Sequence, residues 1–253
     1  MPDETEFKPA VAPAVPPQRP SRIGNFRTSA AQFLVALVLL LFAAPFVDAL
    51  ENGETIDGVL FTLVLILGVL AVGRSHRKLA FAAVLMVPAV AAKWISYFRP
   101  DLLPPLVHNA LSLVFICFVE VQFLLFVLRA PRVNSEVLCA GISGYLLLGI
   151  VWMSAYLLVS RLHPNPGDPQ HPAAFAFSLA SESAHPFTSF QAYYFSFITL
   201  STVGYGDITP VSNAARMLAM MEAITGTLYI AVLISRLVAL YSAQPAEPVE
   251  PKS

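Results

Sequence analysis

Between residues 28 and 241 the chain passes through six apolar stretches, each near the ~20 residues that a helix needs to cross a bilayer. They run from about Thr28 to Leu50, from Ile56 to Gly73, from Leu79 to Phe98, from Leu102 to Leu128, from about Val137 to Ser160, and from Asn213 to Tyr241. Lipid offers no water to an unpaired peptide group, so a spanning segment satisfies its backbone internally, as a helix does. The predicted fold class is therefore an all-α integral membrane protein with six transmembrane helices. Composition supports this: 57% of residues are hydrophobic and 12% charged, against about 25% charged in a soluble domain. No basic stripe is present to meet a nucleic acid. The net charge of −1 says little about partners, because the charges gather at segment ends. Cys117 and Cys139 lie in or beside apolar segments and read as small buried hydrophobes rather than a disulfide framework.

Lysine and arginine counts set the expected orientation. The N-terminal arm holds Lys8, Arg19, Arg22 and Arg27; the second connection holds Arg74, Arg77 and Lys78; the fourth holds Arg129 and Arg132. The first connection has none, and the third has only Arg99, beside Asp101. Positive-inside bias then places both termini in the cytoplasm and the fifth connection outside. The arm, 1–27, is polar and proline-rich and reads as disordered rather than as a signal peptide. Residues 28–129 form a peripheral four-helix domain, 137–241 a second module, and 242–253 a disordered tail. The expected location is a plasma membrane, and the compact size with alanine- and proline-rich termini points to a bacterial inner membrane.

The fifth connection carries the chemistry. From Arg161 to about Thr188 it is rich in Pro, His, Ser and Ala, as in an extracellular loop. Thr188 or Ser189 is placed to cap a helix from Phe190 to about Leu200, too short to span. Next comes Thr202-Val203-Gly204-Tyr205-Gly206-Asp207. Consecutive carbonyls can replace the water shell of K⁺ only if alternate residues enter conformations that glycine accepts cheaply. Gly-Tyr-Gly alone is a weak signal and occurs in surface turns. Six residues in register, an aromatic-rich helix before them, two flanking spans and the outer side of the membrane make it a strong one.

This stretch resembles the selectivity filter of tetrameric K⁺ channels, the standard example of a carbonyl-lined filter. The resemblance is close over roughly residues 137–241. It implies a homotetramer with cyclic symmetry, since one chain offers one strand of the ring. It implies a re-entrant pore helix whose C-terminal end faces a central cavity. K⁺ would bind at the carbonyls of Thr202, Val203, Gly204 and Tyr205 and at the Thr202 hydroxyl, with Gly206 completing the filter. Asp207 would stand at the outer mouth. Tyr205 would point away from the axis, against Tyr194 and Phe195. Gly226 lies nineteen residues after Asp207, where family members carry a hinge glycine; a packing glycine is the alternative. Ala223, Thr227, Ile230 and Ile234 share one helical face and would line the cavity. Ile198 stands where some members carry a carboxylate, so Asp207 needs another partner or stays solvated.

The first four segments depart from the voltage-sensing pattern. From Leu102 to Leu128 there is no lysine or arginine, so weak or absent voltage dependence is predicted. Lys93 lies near a segment end and can snorkel. Glu120 and Glu222 lie inside apolar segments, where carboxylates are costly; for Glu222 a bond to Ser196 or Thr199 is expected. His163, His171 and His185 lack metal-ligand spacing. No catalytic constellation is apparent, so a non-enzyme without a cofactor is expected, K⁺ being the permeant ion. Expected partners are further copies of the chain and the bilayer; a regulatory lipid or subunit is left open. The rival readings are a potassium-uptake transporter subunit and a non-conducting sensor or accessory subunit.

Overall fold

The computed structural model describes residues 27–48, 53–71, 76–99, 101–162, 173–178 and 187–242. Seven helices and two short strands occur in the order α1 (Arg27–Asp48), α2 (Gly53–Ala71), α3 (His76–Phe98), α4 (Pro105–Arg129), α5 (Ser135–Leu162), β1 (Phe175–Phe177), α6 (Ser189–Leu200), β2 (Ile208–Pro210) and α7 (Asn213–Ser242). Residues 1–26 and 243–253, which hold nearly all of the predicted arm and tail, lie outside the described residues. So do the three loop histidines.

Among the described residues four helices are long and apolar enough to cross a membrane: Ala80–Phe98 within α3, then α4, α5 and α7. The apolar stretches of α1 and α2 are shorter, Ala30–Ala43 and Gly58–Leu70. The protein is thus a mostly helical, multi-pass membrane protein.

Local chemistry sets two boundaries that apolar length alone misplaces. The fourth segment was expected from Leu102, but its helix begins at Pro105. Leu102 instead donates its amide to the Arg99 carbonyl in a turn. Proline then takes the first helical position, where no amide is required. Pro131 stops the helix two residues past Arg129. The fifth helix starts at Ser135, earlier than expected, because the Asn134 side chain accepts the Val137 amide at 3.0 Å.

α1 packs on α2, α3 on α4, and both α1 and α4 pack on α5. Their shared core includes Phe33, Leu65, Phe115, Ile116, Val119, Phe123 and Leu147, with Phe33 and Phe123 stacked at 4.9 Å. α5 in turn packs on α6 and α7. A second core gathers Tyr156, Phe175, Ala192, Phe195, Ile208 and Ala215 around the loop side of α6. Outward faces stay apolar, as at Leu39, Phe42, Phe46 and Val84, the pattern expected where the surrounding solvent is hydrocarbon.

The connection before α6, expected to be a loop, contains a strand. β1 pairs antiparallel with β2 in the register Phe175↔Pro210, Ala176↔Thr209 and Phe177↔Ile208. Alternation explains it: Phe175 turns inward and stacks on Phe187 at 4.1 Å, while Ala176 is exposed.

Candidate functional site

The short helix α6 is fixed at its start by a reciprocal cap. Thr188 Oγ1 accepts the Gln191 amide at 3.2 Å, and the Gln191 side chain accepts the Thr188 amide at 2.8 Å. Its buried face, Ala192, Phe195, Ser196 and Leu200, sits against the rest of the domain. Thr188 is therefore the cap, and α6 begins at Ser189.

Past the end of α6 the backbone alternates. Thr202, Gly204 and Gly206 have φ of +62°, +54° and +81°, while Val203 and Tyr205 between them stay negative. The amides turn back onto the helix end: Thr202 donates to the Thr199 carbonyl at 2.9 Å, and Val203 and Gly204 donate to Ile198 at 2.9 and 3.1 Å. None of the carbonyls of Thr202 through Gly206 accepts a backbone hydrogen bond from the described residues. Three amides of the segment thus bond the end of α6, while its carbonyls are left unclaimed by the described backbone. A Cβ added at Gly204 or Gly206 would meet nothing within 4 Å, so glycine is needed there for its backbone angle and not for room. Thr202 holds the same left-handed angle with a side chain, at a cost of about 1–2 kcal/mol.

Tyr205 does not pack on Tyr194 or Phe195 as expected; it is 74% exposed in the single chain. Tyr194 is engaged elsewhere. Its hydroxyl donates to Asp207 Oδ2 at 2.8 Å, which supplies the partner that Ile198 cannot. Phe195 meets Tyr156 and Phe175 edge-on. β2 follows Asp207 directly, and the Ser178 amide bonds the Asp207 carbonyl at 2.8 Å. The outer end of the segment is thereby tied to the strand before α6.

Glu222 of α7 is fully buried. Ser196 donates to its Oε1 at 2.5 Å, and Tyr156 of α5 donates to its Oε2. One carboxylate so ties α5, α6 and α7 together. Four residues on, Gly226 lies where α7 crosses the end of α6: a Cβ there would stand 2.6 Å from the Leu200 carbonyl oxygen. That contact requires glycine for close approach. On the other side of α7, Thr227, Ile230 and Ile234 are exposed and Ala223 is half-buried. No group of His, Cys, Asp and Glu side chains among the described residues is arranged to hold a metal.

Sequence reasoning missed the bond of Tyr194 to Asp207, the role of Tyr156 and the β1–β2 pair. The tyrosines gave no local signal, since their partners lie 13 and 66 residues away. The alternating Phe-Ala-Phe of β1 was the one available hint.

Residues 171–243, from the β1 region through α7, match the family described as "Ion channel". The segment of unusual backbone geometry lies inside the matched stretch. Curated relatives include Two-pore potassium channel 4 of Arabidopsis thaliana, 42% identical over 48 residues, which cover 19% of this chain and 17% of the relative. Another is Two pore potassium channel c of Oryza sativa subsp. japonica, 36% identical over 62 residues, 24% of this chain and 13% of the relative. The chain spans less than a fifth of the length of either relative.

Proposed function

We propose that this chain is one subunit of a potassium-selective channel that passes K⁺ passively down its gradient. Four copies surround one axis. The carbonyls of Thr202, Val203, Gly204 and Tyr205 and the Thr202 hydroxyl form stacked oxygen rings, with Gly206 shaping the exit and Asp207 at the outer mouth. The observation that carries this reading is the backbone alternation at Thr202, Gly204 and Gly206, with amides bound back to α6 and carbonyls unclaimed. The potassium channels named among the relatives support the choice of ion.

In this reading α1 to α5 and α7 are six spans, α6 is a re-entrant pore helix, and both termini face the cytoplasm. The face of Ala223, Thr227, Ile230 and Ile234 lines the cavity. Gly226 acts both as a close-packing point and as the place where α7 bends. Voltage dependence is weak or absent, because α4 has no lysine or arginine before Arg129 to be moved through the membrane field, where each charge contributes about 2.3 kcal/mol per 100 mV.

Purified protein in planar bilayers with asymmetric K⁺ and Na⁺ tests the proposal. The reversal potential is expected to follow K⁺. Gly204→Ala should abolish or deselect the current, since it sets a Cβ at φ +54°. A reversal potential that follows Na⁺ equally would reject the reading.

A further inference from the structure

Two glycines open a notch in α5. A Cβ at Gly141 would stand 2.8 Å from Leu233 Cδ1, and one at Gly144 would overlap the Tyr229 hydroxyl. Leu233 and Tyr229 both belong to α7. The same point at Gly144 lies 3.7 Å from Glu120 Oε1 of α4. Side chains of α4 and α7, both packed on α5, therefore reach one spot only because α5 presents no side chain there.

The groups at this spot are unevenly satisfied. Tyr229 is buried and donates its hydroxyl to the Gly141 carbonyl at 2.8 Å. Glu120 is buried as well, and its Oε2 has no hydrogen-bond partner among the described residues. Ser143, on the same stretch of α5, buries a hydroxyl without a partner. Among the described residues, the titratable groups in electrostatic contact with Glu120 are Cys117 on its own helix and Tyr229 on α7. α5 offers Ser143 and Gly144 at this level; its charged residues, Glu136 and Arg161, lie in its first and last turns. Lys93 of α3 acts on His108, more than three turns away along α4.

We propose that Glu120 couples the four-helix domain to the inner helix, the proton on its carboxyl deciding whether the Tyr229 hydroxyl bonds Glu120 or the Gly141 carbonyl. The chemistry is directional. A neutral carboxyl carries its own donor and leaves Tyr229 on Gly141. An ionised carboxylate can only accept, and away from water it draws a nearby donor. The Tyr229 hydroxyl meets the same notch at Gly144 as Glu120 Oε1 and is such a donor. Tyr229 follows Gly226 by one turn, and Gly226 is where α7 bears on the end of α6. A change in the seat of Tyr229 therefore acts at that crossing, beneath the filter. The ligand of this site is a proton, and Tyr229 is a positioning residue.

The current readout rests on the channel reading above; the contact itself does not. The full chain, reconstituted in planar bilayers, is recorded across an acid-to-neutral pH range as wild type, Glu120→Gln, Tyr229→Phe and the double variant. Open probability in the wild type should change by at least about fivefold. Each single variant should lose that response with an unaltered K⁺/Na⁺ reversal potential, and the double variant should add nothing. A wild type indifferent to pH, or a Glu120→Gln or Tyr229→Phe channel that keeps the full response, overturns the proposal. If no variant conducts, the channel reading fails. Infrared difference spectra of the same pH step then decide the coupling. A carboxyl carbonyl band lost in Glu120→Gln and shifted in Tyr229→Phe supports it; no such band overturns it.

Discussion

Glu222 sits where α5, α6 and α7 meet, and Glu120 sits where α4 and α7 meet α5. Both are carboxylates buried among apolar residues. Glu222 takes hydroxyls from Ser196 and Tyr156, whereas Glu120 leaves one oxygen unserved. The surroundings follow suit. Around α6 the structure is specified by directed bonds: the Thr188–Gln191 cap, Tyr194 to Asp207, and Ser196 to Glu222. Around α4 it is specified by apolar contact, with His108, Asn109 and Ser112 each burying an unpartnered polar atom. Directed bonds constrain the geometry around α6 more tightly than apolar contact constrains that around α4.

The sharpest way to break this contrast is to exchange the carboxylates. Glu222→Leu should destabilise the protein by about 3–5 kcal/mol, because it strands two buried hydroxyls. Loss of the cooperative thermal transition in detergent would show it. Next in size, Gly226→Val should cost about 1–3 kcal/mol through collision with the Leu200 carbonyl, read in the same melt. Thr188→Ala removes one half of the α6 cap and should cost about 1 kcal/mol; Thr188→Ser should recover most of it. Smallest is Glu120→Leu, expected to leave stability within about 1 kcal/mol of wild type or to raise it. A Glu120→Leu loss as large as that of Glu222→Leu would erase the distinction between the two regions.

How far the sequence foretold all this depends on how far apart the interacting residues are. Apolar length marked every long helix, because lipid demands an internally paired backbone. Thr188 was legible as a cap because its partner lies three residues on. The alternating backbone was legible because two of its three left-handed positions are glycines. Where helices start was less legible, since the proline at the head of α4 and the Asn134 cap of α5 act locally in ways that hydropathy ignores. The partners of Asp207 and Glu222 were least legible. For Glu222 a hydroxyl of the short helix was foreseen, Ser196 or Thr199, and Ser196 supplies it, but Tyr156 and Tyr194 are two aromatics among many until folding brings them close. The notch at Gly141 and Gly144 was invisible for the same reason: a missing side chain has meaning only once Leu233 and Tyr229 fill the gap.

The β1–β2 pair gives the segment after Tyr205 a second anchorage, the first being the amides that return to α6. A span clamped at both ends is a strut, not a tether. It has lost its swinging modes, and heat can deform it only by flexing, which for so few residues is stiff. The end of the segment beyond Tyr205 is therefore held as firmly as its start.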